Sequence, residues 1–407
     1  MSRIDKLIAD LCPDGVEYKK LGEVATINRG GSFQKKDFCN DGVPCIHYGQ
    51  IYTRYGLFAD KTLTFISEEV AKKQKFAVKN DIVMAVTSEN IDDVCKCVAW
   101  LGEDNIAVSG HSAIIHHTLN PKYLCYYFHT AMFFAQKVKL AHGTKVIEVS
   151  PAGLADITVP VPPLEVQTEI VKILDNFTEL TAELTAELTA RKKQYEYYRD
   201  YLLDFGKNGG VHQKVEWRTL GAISKVLRGK RLTKNLLSND FSFPVYHGGL
   251  EPLGFYNETN RSANTVMIIN VGASAGTVGY CKEDFWSSDG CYCLEHCNAY
   301  DSRFMYYYLS TQEKYLQSKV RYAGIPTLDA KVIETIMVPV PPLEVQQRIV
   351  NVLDNFEAIC SDLQIGLPAE IEARKKQYEY YRDLLLSFDN SQFINVERER
   401  ERETVKK

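Results

Sequence analysis

Residues 157–177 read ITVPVPPLEVQTEIVKILDNF, and residues 336–356 read IMVPVPPLEVQQRIVNVLDNF. The two stretches are identical at 16 of 21 positions, at an offset of 336 − 157 = 179. A second pair follows: ARKKQYEYYRDYLLDF begins at Ala190 and ARKKQYEYYRDLLLSF begins at Ala373, with 14 of 16 positions identical. The sequence between the copies has diverged almost completely. The chain therefore repeats one helical segment around two unlike modules, which predicts two different recognition surfaces.

Each repeat predicts a proline-rich strand exit followed by a long helix. Proline is tolerated in the first turn of a helix but disfavours helix before itself. We therefore expect the helices to begin near Leu164 and Leu343. Apolar and aromatic residues then recur every three or four positions, the spacing of a stripe that packs on another helix, here the other copy. In the second copy Gly366 and Pro368 predict a break or kink.

Within the first helix, residues 178–190 read TELTAELTAELTA, which repeats the tetrapeptide Thr-Ala-Glu-Leu. One such unit adds about 6 Å and about 400° to an α-helix, so the apolar stripe nearly returns to register after each unit. The repeat is thus suited to adjust the length of the helix without disturbing its packing. Slippage of a repetitive gene in a tolerant helix is the alternative interpretation.

The modules share their openings and little else. VEYKKLGEVATINRG from Val16 and VEWRTLGAISKVLRG from Val215 have Val, Glu, Leu, Gly, Arg and Gly in common. Short apolar runs separated by Gly, Asn and Asp, such as DIVMAVTS from Asp81 and TVMIINVGASAGTVGYC from Thr265, predict β-strands with tight turns. Late in each module, PKYLCYYFHTAMFFAQKV and SRFMYYYLSTQEKYLQSKV have helical spacing. Both modules are therefore predicted to be α+β.

Composition limits the classes of protein that the chain can represent. Its 407 residues, 45% of them hydrophobic, suggest two or three domains. No stretch approaches the roughly 18 apolar residues of a membrane span, and the polar start predicts a cytosolic protein. The eleven cysteines are then expected to be reduced thiols. A net charge of −4 argues against coating nucleic acid by bulk charge, although local lysine and arginine clusters could neutralise phosphates.

The paired VPVPPLEVQ and RKKQYEYYRD segments, the tetrapeptide repeat, and the module sequences LGEVATINRGGSF, AVTSEN and GASAGTVGY together resemble the DNA-specificity subunit of Type I restriction-modification systems, in the branch with Thr-Ala-Glu-Leu spacer repeats. The resemblance covers essentially the whole chain. It implies an α+β fold in which two target-recognition domains are separated by two long antiparallel helices, a coiled coil with an internal pseudo-twofold repeat. The implied segments are 1–15 (N-terminal helical segment), 16–156 (first target-recognition domain), 157–210 (central helix with the tetrapeptide repeats), 211–335 (second target-recognition domain), 336–390 (C-terminal helix) and 391–407 (charged tail).

The resemblance also implies a function and partners. Each target-recognition domain would read one half of an asymmetric bipartite site in double-stranded DNA, and the helix pair would set the gap. The family's specificity subunit is not catalytic: it binds two methyltransferase subunits, which carry S-adenosylmethionine and methylate adenine. It also recruits restriction subunits, which carry the motor and nuclease and use ATP and magnesium. No cofactor or metal is expected in this chain itself, and no association with a membrane is expected.

Direct readout needs donors and acceptors on turns that reach base edges, with Arg or Lys suited to guanine and Asn or Gln to adenine. The candidates in the first module are Arg29, Lys35, His47, Tyr48, Gln50, Tyr52, Arg54, Ser88, Asn90, His111 and Lys145. The candidates in the second module are Arg228, Lys230, Arg231, Tyr246, His247, Asn270, Ser274, Ser288 and Arg321. A structural or surface role is the alternative for each, and the sequence does not separate base from phosphate contacts.

The repeated helices are the predicted docking site for the partner subunits. The predicted docking residues on their stripe are Leu184, Leu188, Tyr195, Tyr198, Leu202, Ile371, Tyr378, Tyr381 and Leu385. Contact between RKKQYEYYRD and the DNA backbone is an alternative. Core packing and docking are favoured over it because the aromatic residues fall on the apolar stripe, whereas Lys192 and Lys193 turn outward.

Other interpretations are weaker. Cys281, Cys291, Cys293, His296 and Cys297 resemble a metal cluster, but structural zinc sites usually show two spaced ligand pairs, so buried thiols are favoured. GASAGTVG from Gly272 lacks the Gly-Lys-Ser/Thr ending of a phosphate loop. An enzyme fused to DNA-recognition modules is disfavoured, since no Asn-Pro-Pro-aromatic methylation motif is present. A helical scaffold for multi-protein assembly is the remaining rival, which sequence-dependent DNA binding would exclude.

Overall fold

The structure, a computed structural model, describes residues 3–206 and 215–388. It contains two compact units, one formed by Met1–Glu183 with Ile371–Lys407 and the other by Leu184–Glu370. Each unit thus combines one α+β domain with parts of both repeated helical segments. The predicted charged tail at 391–407 lies outside the described residues.

The described residues form fourteen α-helices. They are α1 (Arg3–Leu11), α2 (Leu21–Val24), α3 (Tyr48–Thr53), α4 (Glu68–Ala71), α5 (Pro121–Tyr127), α6 (Ala131–Leu140), α7 (Pro151–Ala155), α8 (Leu164–Leu202), α9 (Leu220–Ile223), α10 (Ser302–Thr311), α11 (Glu313–Ser318), α12 (Ala330–Glu334), α13 (Leu343–Ser361) and α14 (Leu367–Ser387). The predicted starts at Leu164 and Leu343 are confirmed, and α8 runs unbroken for 39 residues. The predicted break is also confirmed, because α13 ends before Gly366 and α14 begins with Pro368 in its first turn.

The α+β domain of the first unit is built on two five-stranded sheets. Its strands are β1 (Tyr18–Lys20), β2 (Ala25–Arg29), β3 (Phe38–Cys39), β4 (Val43–Ile46), β5 (Phe58–Ala59), β6 (Thr64–Ile66), β7 (Lys75–Ala77), β8 (Ile82–Ala85), β9 (Thr87–Ser88), β10 (Cys97–Trp100), β11 (Ile106–Val108), β12 (Ser112–His117), β13 (Ile147–Glu148) and β14 (Thr158–Pro160). The sheet orders are β2-β12-β8-β10-β5 and β3-β6-β4-β11-β7, and the pairs β1-β14 and β13-β9 complete the set. All four residues of β8 are buried, as its continuous apolar run predicts.

The second unit repeats this plan with fewer strands. They are β15 (Glu216–Thr219), β16 (Val226–Arg228), β17 (Phe243–Tyr246), β18 (Gly254–Tyr256), β19 (Thr265–Ile269), β20 (Val278–Cys281), β21 (Trp286–Ser287), β22 (Cys291–Leu294) and β23 (Met337–Val340). They form the sheets β16-β22-β19-β20 and β18-β17-β21 and the pair β15-β23. The α+β prediction is confirmed for both domains, and the long helix α8 lies between them in the chain.

A buried glutamine joins the domain of the first unit to the start of α8. Gln167 is 1% exposed. Its Oε1 accepts a hydrogen bond from the backbone N–H of Asn120 at 2.8 Å, and its Nε2 donates to the carbonyl of Pro162 at 2.7 Å. Asn120 is the N-cap of α5. One side chain therefore fixes the proline-rich exit, the long helix and the late helix of the domain together.

The second unit contains the same connection. Gln346 is fully buried. It accepts from the N–H of Asp301, the N-cap of α10, at 2.7 Å and donates to the carbonyl of Pro341 at 2.8 Å. Both bonds satisfy backbone groups that would otherwise be buried without partners.

A carboxylate further along each long helix reinforces the connection. In the first unit, Asp175 accepts from the hydroxyl of Tyr126 at 2.6 Å and pairs with Lys122 at 2.7 Å. In the second unit, Asp354 accepts from Tyr307 at 2.5 Å and pairs with Arg303 at 2.7 Å. Arg303 stands where the first unit has Lys122, and its guanidinium forms a second ion pair, with Glu357.

Within the first unit, α8 and α14 pack antiparallel. Ile170 and Leu174 near the start of α8 share a core with Leu385 near the end of α14. Further along α8, the ring of Phe177 stacks on Tyr381 with centroids 5.6 Å apart. The helix pairing that the apolar stripe predicts is therefore present in this unit.

The second unit repeats that packing between α8 and α13. Leu203, just after α8, shares a core with Ile349 and Leu353. The ring of Tyr198 stacks on Phe356, again with centroids 5.6 Å apart. Both units thus use the same aromatic pair at equivalent positions of the repeat.

We expect the substitution Gln346→Leu to destabilise the second unit. It leaves the N–H of Asp301 and the carbonyl of Pro341 buried and unpaired, at a cost of about 1–3 kcal/mol for each such group. The neighbouring Gln347 is exposed, so Gln347→Leu is the matched control and should change stability by less than about 0.5 kcal/mol. Urea unfolding, with hydrogen exchange of α10 as the local readout, measures both. Equal effects of the two substitutions would contradict the role of the buried bonds.

Candidate nucleic-acid interface

A cleft of roughly 420 Å³ opens in the first unit where the parallel strands β4 and β11 end. Four of the predicted DNA contacts line it: Arg29, His47, Tyr48 and His111. The other lining residues are Gly31, Ser32, Phe33, Gln34, Ser109 and Gly110. Polar and aromatic side chains at the ends of strands are thus gathered on one surface.

Three aromatic rings form one side of this cleft. The ring of Tyr48 lies 4.6 Å from that of His47 and 4.9 Å from that of His111. His47 Nδ1 accepts from the N–H of Gly49 at 3.2 Å, which caps α3. Burial, with smaller contributions from Lys35 and His111, lowers the pKa of His47 to about 4. His47 is therefore neutral at pH 7 and supports the rings rather than supplying charge.

Arg29 supplies the cleft with a guanidinium held in a fixed position. Its Nε donates to the carbonyl of Gly110 at 2.8 Å, and its Nη1 pairs with Glu148 at 2.9 Å. The side chain is nonetheless 47% exposed, so its remaining N–H groups face solvent. Next to it, a Cβ on Gly30 would meet the carbonyl oxygen of Ser109 at 2.2 Å, which explains why glycine follows this arginine.

The second unit builds the same backbone frame. The N–H of Ser288 donates to the carbonyl of Tyr246 at 2.9 Å, as Ser109 does to Ile46 at 3.1 Å in the first unit. A Cβ on Gly229 would meet the carbonyl oxygen of Ser288 at 1.9 Å, so a second Arg-Gly pair packs on the same turn. The frame is shared, although the side chains that it carries differ.

Several predicted contacts of the first unit are committed to the fold. Gln50 Oε1 accepts from the N–H of His47 at 3.0 Å, and the hydroxyl of Tyr52 donates to the carbonyl of Thr87 at 2.6 Å. Asn90 Oδ1 accepts from the N–H of Asp93 at 2.8 Å, and Ser88 is half-buried in β9. The exposed predicted residues of this unit are Arg29, Lys35, Arg54, Asn90, His111 and Lys145.

The predicted contacts of the second unit divide in the same way. Asn270 and Ser288 are 4% and 2% exposed, and Ser288 donates to its neighbour Asp289 at 3.1 Å. These two side chains are part of the interior of the unit. Tyr246, His247 and Ser274 are half-buried, and Arg228, Lys230, Arg231 and Arg321 are exposed. Their roles as DNA contacts stay predictions.

The chain's own packing uses much of the predicted docking stripe. Leu385 and Ile371 are each 8% exposed. Tyr195 and Leu202 pack against the core of the second unit and Tyr378 against that of the first, while Tyr198 and Tyr381 form the stacked pairs described above. Leu184 and Leu188 are half-buried. The more exposed aromatic residues are their neighbours, Tyr197 at 63% and Tyr380 at 41%.

The sequence contained an unused signal for the residues that the predictions missed. Ser109, Gly110 and Glu148 shape the first cleft, yet none was among the candidates. Ser-Gly-His at 109–111 and Ser-Asp-Gly at 288–290 stand at the 179-residue offset of the repeat, since 288 − 109 = 179. Cys291 and Cys293, which resembled part of a metal cluster, are instead buried in a core with Met267.

One family model matches both halves of the chain. The family model for the Type I restriction modification DNA specificity domain matches residues 13–191 and again residues 212–373. The chain belongs to this family. Each match contains one Arg-Gly pair and the serine turn on which it packs. The predicted resemblance is therefore confirmed at the level of the family.

Individual relatives agree with the family assignment. A Mycoplasma pneumoniae protein described as a type I specificity subunit is 34% identical over 299 residues, covering 58% of this chain and 96% of the relative. The specificity subunit of the Escherichia coli restriction enzyme EcoR124I/EcoR124II is 36% identical over 264 residues, covering 58% of this chain and 63% of the relative. The crystal structure of a Type I S subunit from M. genitalium matches 92% of this chain and 95% of its own with a TM-score of 0.56 at 19% identity, which shows a shared fold.

Within residues 3–206 and 215–388, no helix is both long enough and apolar enough to cross a membrane.

We expect His47 to titrate far below the ordinary histidine value. Its pKa falls from 6.5 to about 4, so the unfolded chain takes up the proton first and stability is lost as the pH drops from about 6.5 to about 4. NMR of histidine-labelled protein, assigned with His47→Gln, should give a midpoint near 4. The variant should also lose less stability than the parent over that range. A midpoint near 6.5 would show that the ring is not desolvated.

Proposed function

We propose that this chain is the sequence-specific DNA-binding subunit of a Type I restriction-modification complex, in which each α+β domain reads one half of an asymmetric bipartite site. Membership of the family supports a role in DNA sequence specificity. The observation that carries the two-reader proposal is the backbone frame that both units share, in which an Arg-Gly pair packs on the serine turn after the parallel strand. The two copies of this frame carry different side chains.

Corresponding rim positions show this difference directly. The turn after the parallel strand is Ser109-Gly110-His111 in the first unit and Ser288-Asp289-Gly290 in the second. Arg29 is held by Glu148, whereas the corresponding position of the second unit is Thr327, because 327 − 148 = 179. A frame that is kept while its exposed side chains change suits two readers of different base sequences, since bases are read by side chains at groove edges.

We propose that the chain is not catalytic and that it acts with partner subunits. Two methyltransferase subunits would supply S-adenosylmethionine and adenine methylation, and restriction subunits would supply ATP- and magnesium-dependent activities. The repeated helical segments support two equivalent docking sites, because each presents an exposed tyrosine of RKKQYEYYRD, Tyr197 or Tyr380. Two equal partners can bind equivalent surfaces of an internal repeat.

Adenine methylation tests the proposal most broadly. The chain is co-expressed with its methyltransferase subunit in a methylation-deficient host, and modified adenines are mapped by long-read sequencing. We expect one two-part motif with a fixed gap and unlike halves. A soluble complex that modifies no defined motif would favour the scaffold function instead.

We also propose that α8 sets the gap between the half-sites. The helix is unbroken through the tetrapeptide repeats, so deletion of residues 181–184 removes about 6 Å and keeps the apolar stripe nearly in register. At about 3.4 Å per base pair, the mapped gap should shorten by roughly one to two base pairs while both half-sites stay the same. An unchanged gap in a stable deletion variant would refute this role of the helix.

A further inference from the structure

Each unit contains a seven-residue hairpin, His142–Glu148 in the first and Arg321–Thr327 in the second. They occupy equivalent positions, since 321 − 142 = 179. The end residues of each hairpin exchange two backbone hydrogen bonds, of 3.0 and 2.8 Å in the first and 2.9 and 3.0 Å in the second. In both, the first five residues are exposed and the last two half-buried. The hairpins therefore share length, closure and burial.

The base of the second hairpin is connected to the turn 288–290 of its unit. The N–H of Gly272 donates to the carbonyl of Pro326 at 2.9 Å. Val271 lies against Gly290, where a Cβ would meet its Cγ1 at 2.6 Å, and the N–H of Gly290 donates to His247 Nδ1 at 3.2 Å. The first hairpin is tied to its cleft by the ion pair of Glu148 with Arg29. Each hairpin is thus connected to the frame of its own unit.

The two hairpins differ in charge, with no identical residue at any of the seven positions. The first presents His142, Thr144 and Lys145, all exposed, together with Val146, which is 57% exposed and corresponds to Ile325 because 325 − 179 = 146. The second reads YAGIP between its end residues, without any charge, and leaves Tyr322 73% and Ile325 71% exposed. Both side chains are large and mostly exposed to solvent, and the hairpin that carries them is fixed at its base by backbone hydrogen bonds.

The turns also differ in backbone shape. The left-handed glycine is Gly143 in the first hairpin, with φ of 103°, and Gly324 in the second, with φ of 89°. Since 324 − 179 = 145, Gly324 corresponds to Lys145, two positions later than Gly143. The glycine of the second hairpin therefore lies next to Ile325 and replaces the cation of the first.

An uncharged tip cannot neutralise phosphates, but apolar side chains gain by contact with base edges, for example thymine methyl groups, or by insertion between base steps. Resting on the proposed function, we propose that the second hairpin is a base-contacting arm that places Tyr322 and Ile325 against the bases of the second half-site. Lys145 of the first hairpin, which stands at the position of Gly324, contacts a phosphate instead.

Charge around the serine turn of the second unit favours DNA over a protein as the partner of the second hairpin. Exposed Arg228 and Lys230 flank Gly229, which packs on the carbonyl of Ser288. The cationic strand end and the apolar hairpin therefore border the same turn. Cations that bind the backbone beside an apolar tip that reaches the bases match the two chemical faces of double-stranded DNA.

The test measures DNA affinity at several salt concentrations. The full chain, in complex with its methyltransferase subunit, binds a fluorescent duplex carrying the mapped site between about 50 and 200 mM salt. Tyr322→Ala and Ile325→Ala should each weaken specific binding about tenfold, the lower part of the range for a lost base contact, without changing the salt slope. Tyr322→Phe should retain most of the affinity. Both residues are highly exposed, so truncation should not unfold the chain.

Lys145→Ala is the matched control, and it should lower the salt slope by about one. Three results would overturn the inference: parental affinity and motif in both alanine variants, a reduced salt slope in them, or loss of assembly with the methyltransferase subunit on size-exclusion chromatography. Failure of the proposed function looks different, because the parent complex itself would then show no preference for one duplex.

Discussion

Two buried glutamine side chains, Gln167 and Gln346, hold each domain to its long helix. Each accepts from the N-cap residue of a domain helix and donates to a carbonyl of the proline-rich exit. A glutamine suits this position because its amide carries both an acceptor and donors, which satisfy two buried backbone groups at once. Eight residues later, since 175 − 167 = 354 − 346 = 8, Asp175 and Asp354 bind the same domain helices again. Both glutamines and both aspartates belong to the repeated stretches 157–177 and 336–356.

Because the joint is constant, the rim of each domain is free to vary. The late helix, the exit strand and the Arg-Gly approach to the serine turn recur in both units. Above that frame the two units differ at the turn after the parallel strand and along the seven-residue hairpins. Stability and specificity are thereby carried by different residues, so a new recognition surface can arise without a new fold.

Local signals in the sequence predicted where the long helices begin and where the second one is interrupted. Proline predicted the helix starts at Leu164 and Leu343, and Gly366 with Pro368 predicted the break after α13. The paired motifs predicted the family and its two domains. The hydrogen bonds from Asn120 to Gln167 and from Asp301 to Gln346 were not predicted, because they connect residues that are 47 and 45 positions apart in the chain.

The surface was harder to predict than the fold. Side-chain type alone did not reveal that Ser288 and Asn270 are buried or that Tyr52 binds a backbone carbonyl, because burial depends on which strands pair. On the helices, periodicity predicted the packing stripe correctly, yet the same stripe cannot be both packed and free to dock. The seven residues of the two hairpins have no identical position, so their equivalence emerged only from the repeat offset together with the backbone hydrogen bonds.

The central claim is that two domains with one frame read DNA independently. The most direct measurement compares the methylation motifs of Arg29→Gln and Arg228→Gln, two substitutions at equivalent exposed positions of the frame. Independent reading predicts that each variant relaxes or shifts bases in one half-site only, a different half for each, with the gap unchanged. A variant that altered both halves of the motif together would contradict the account.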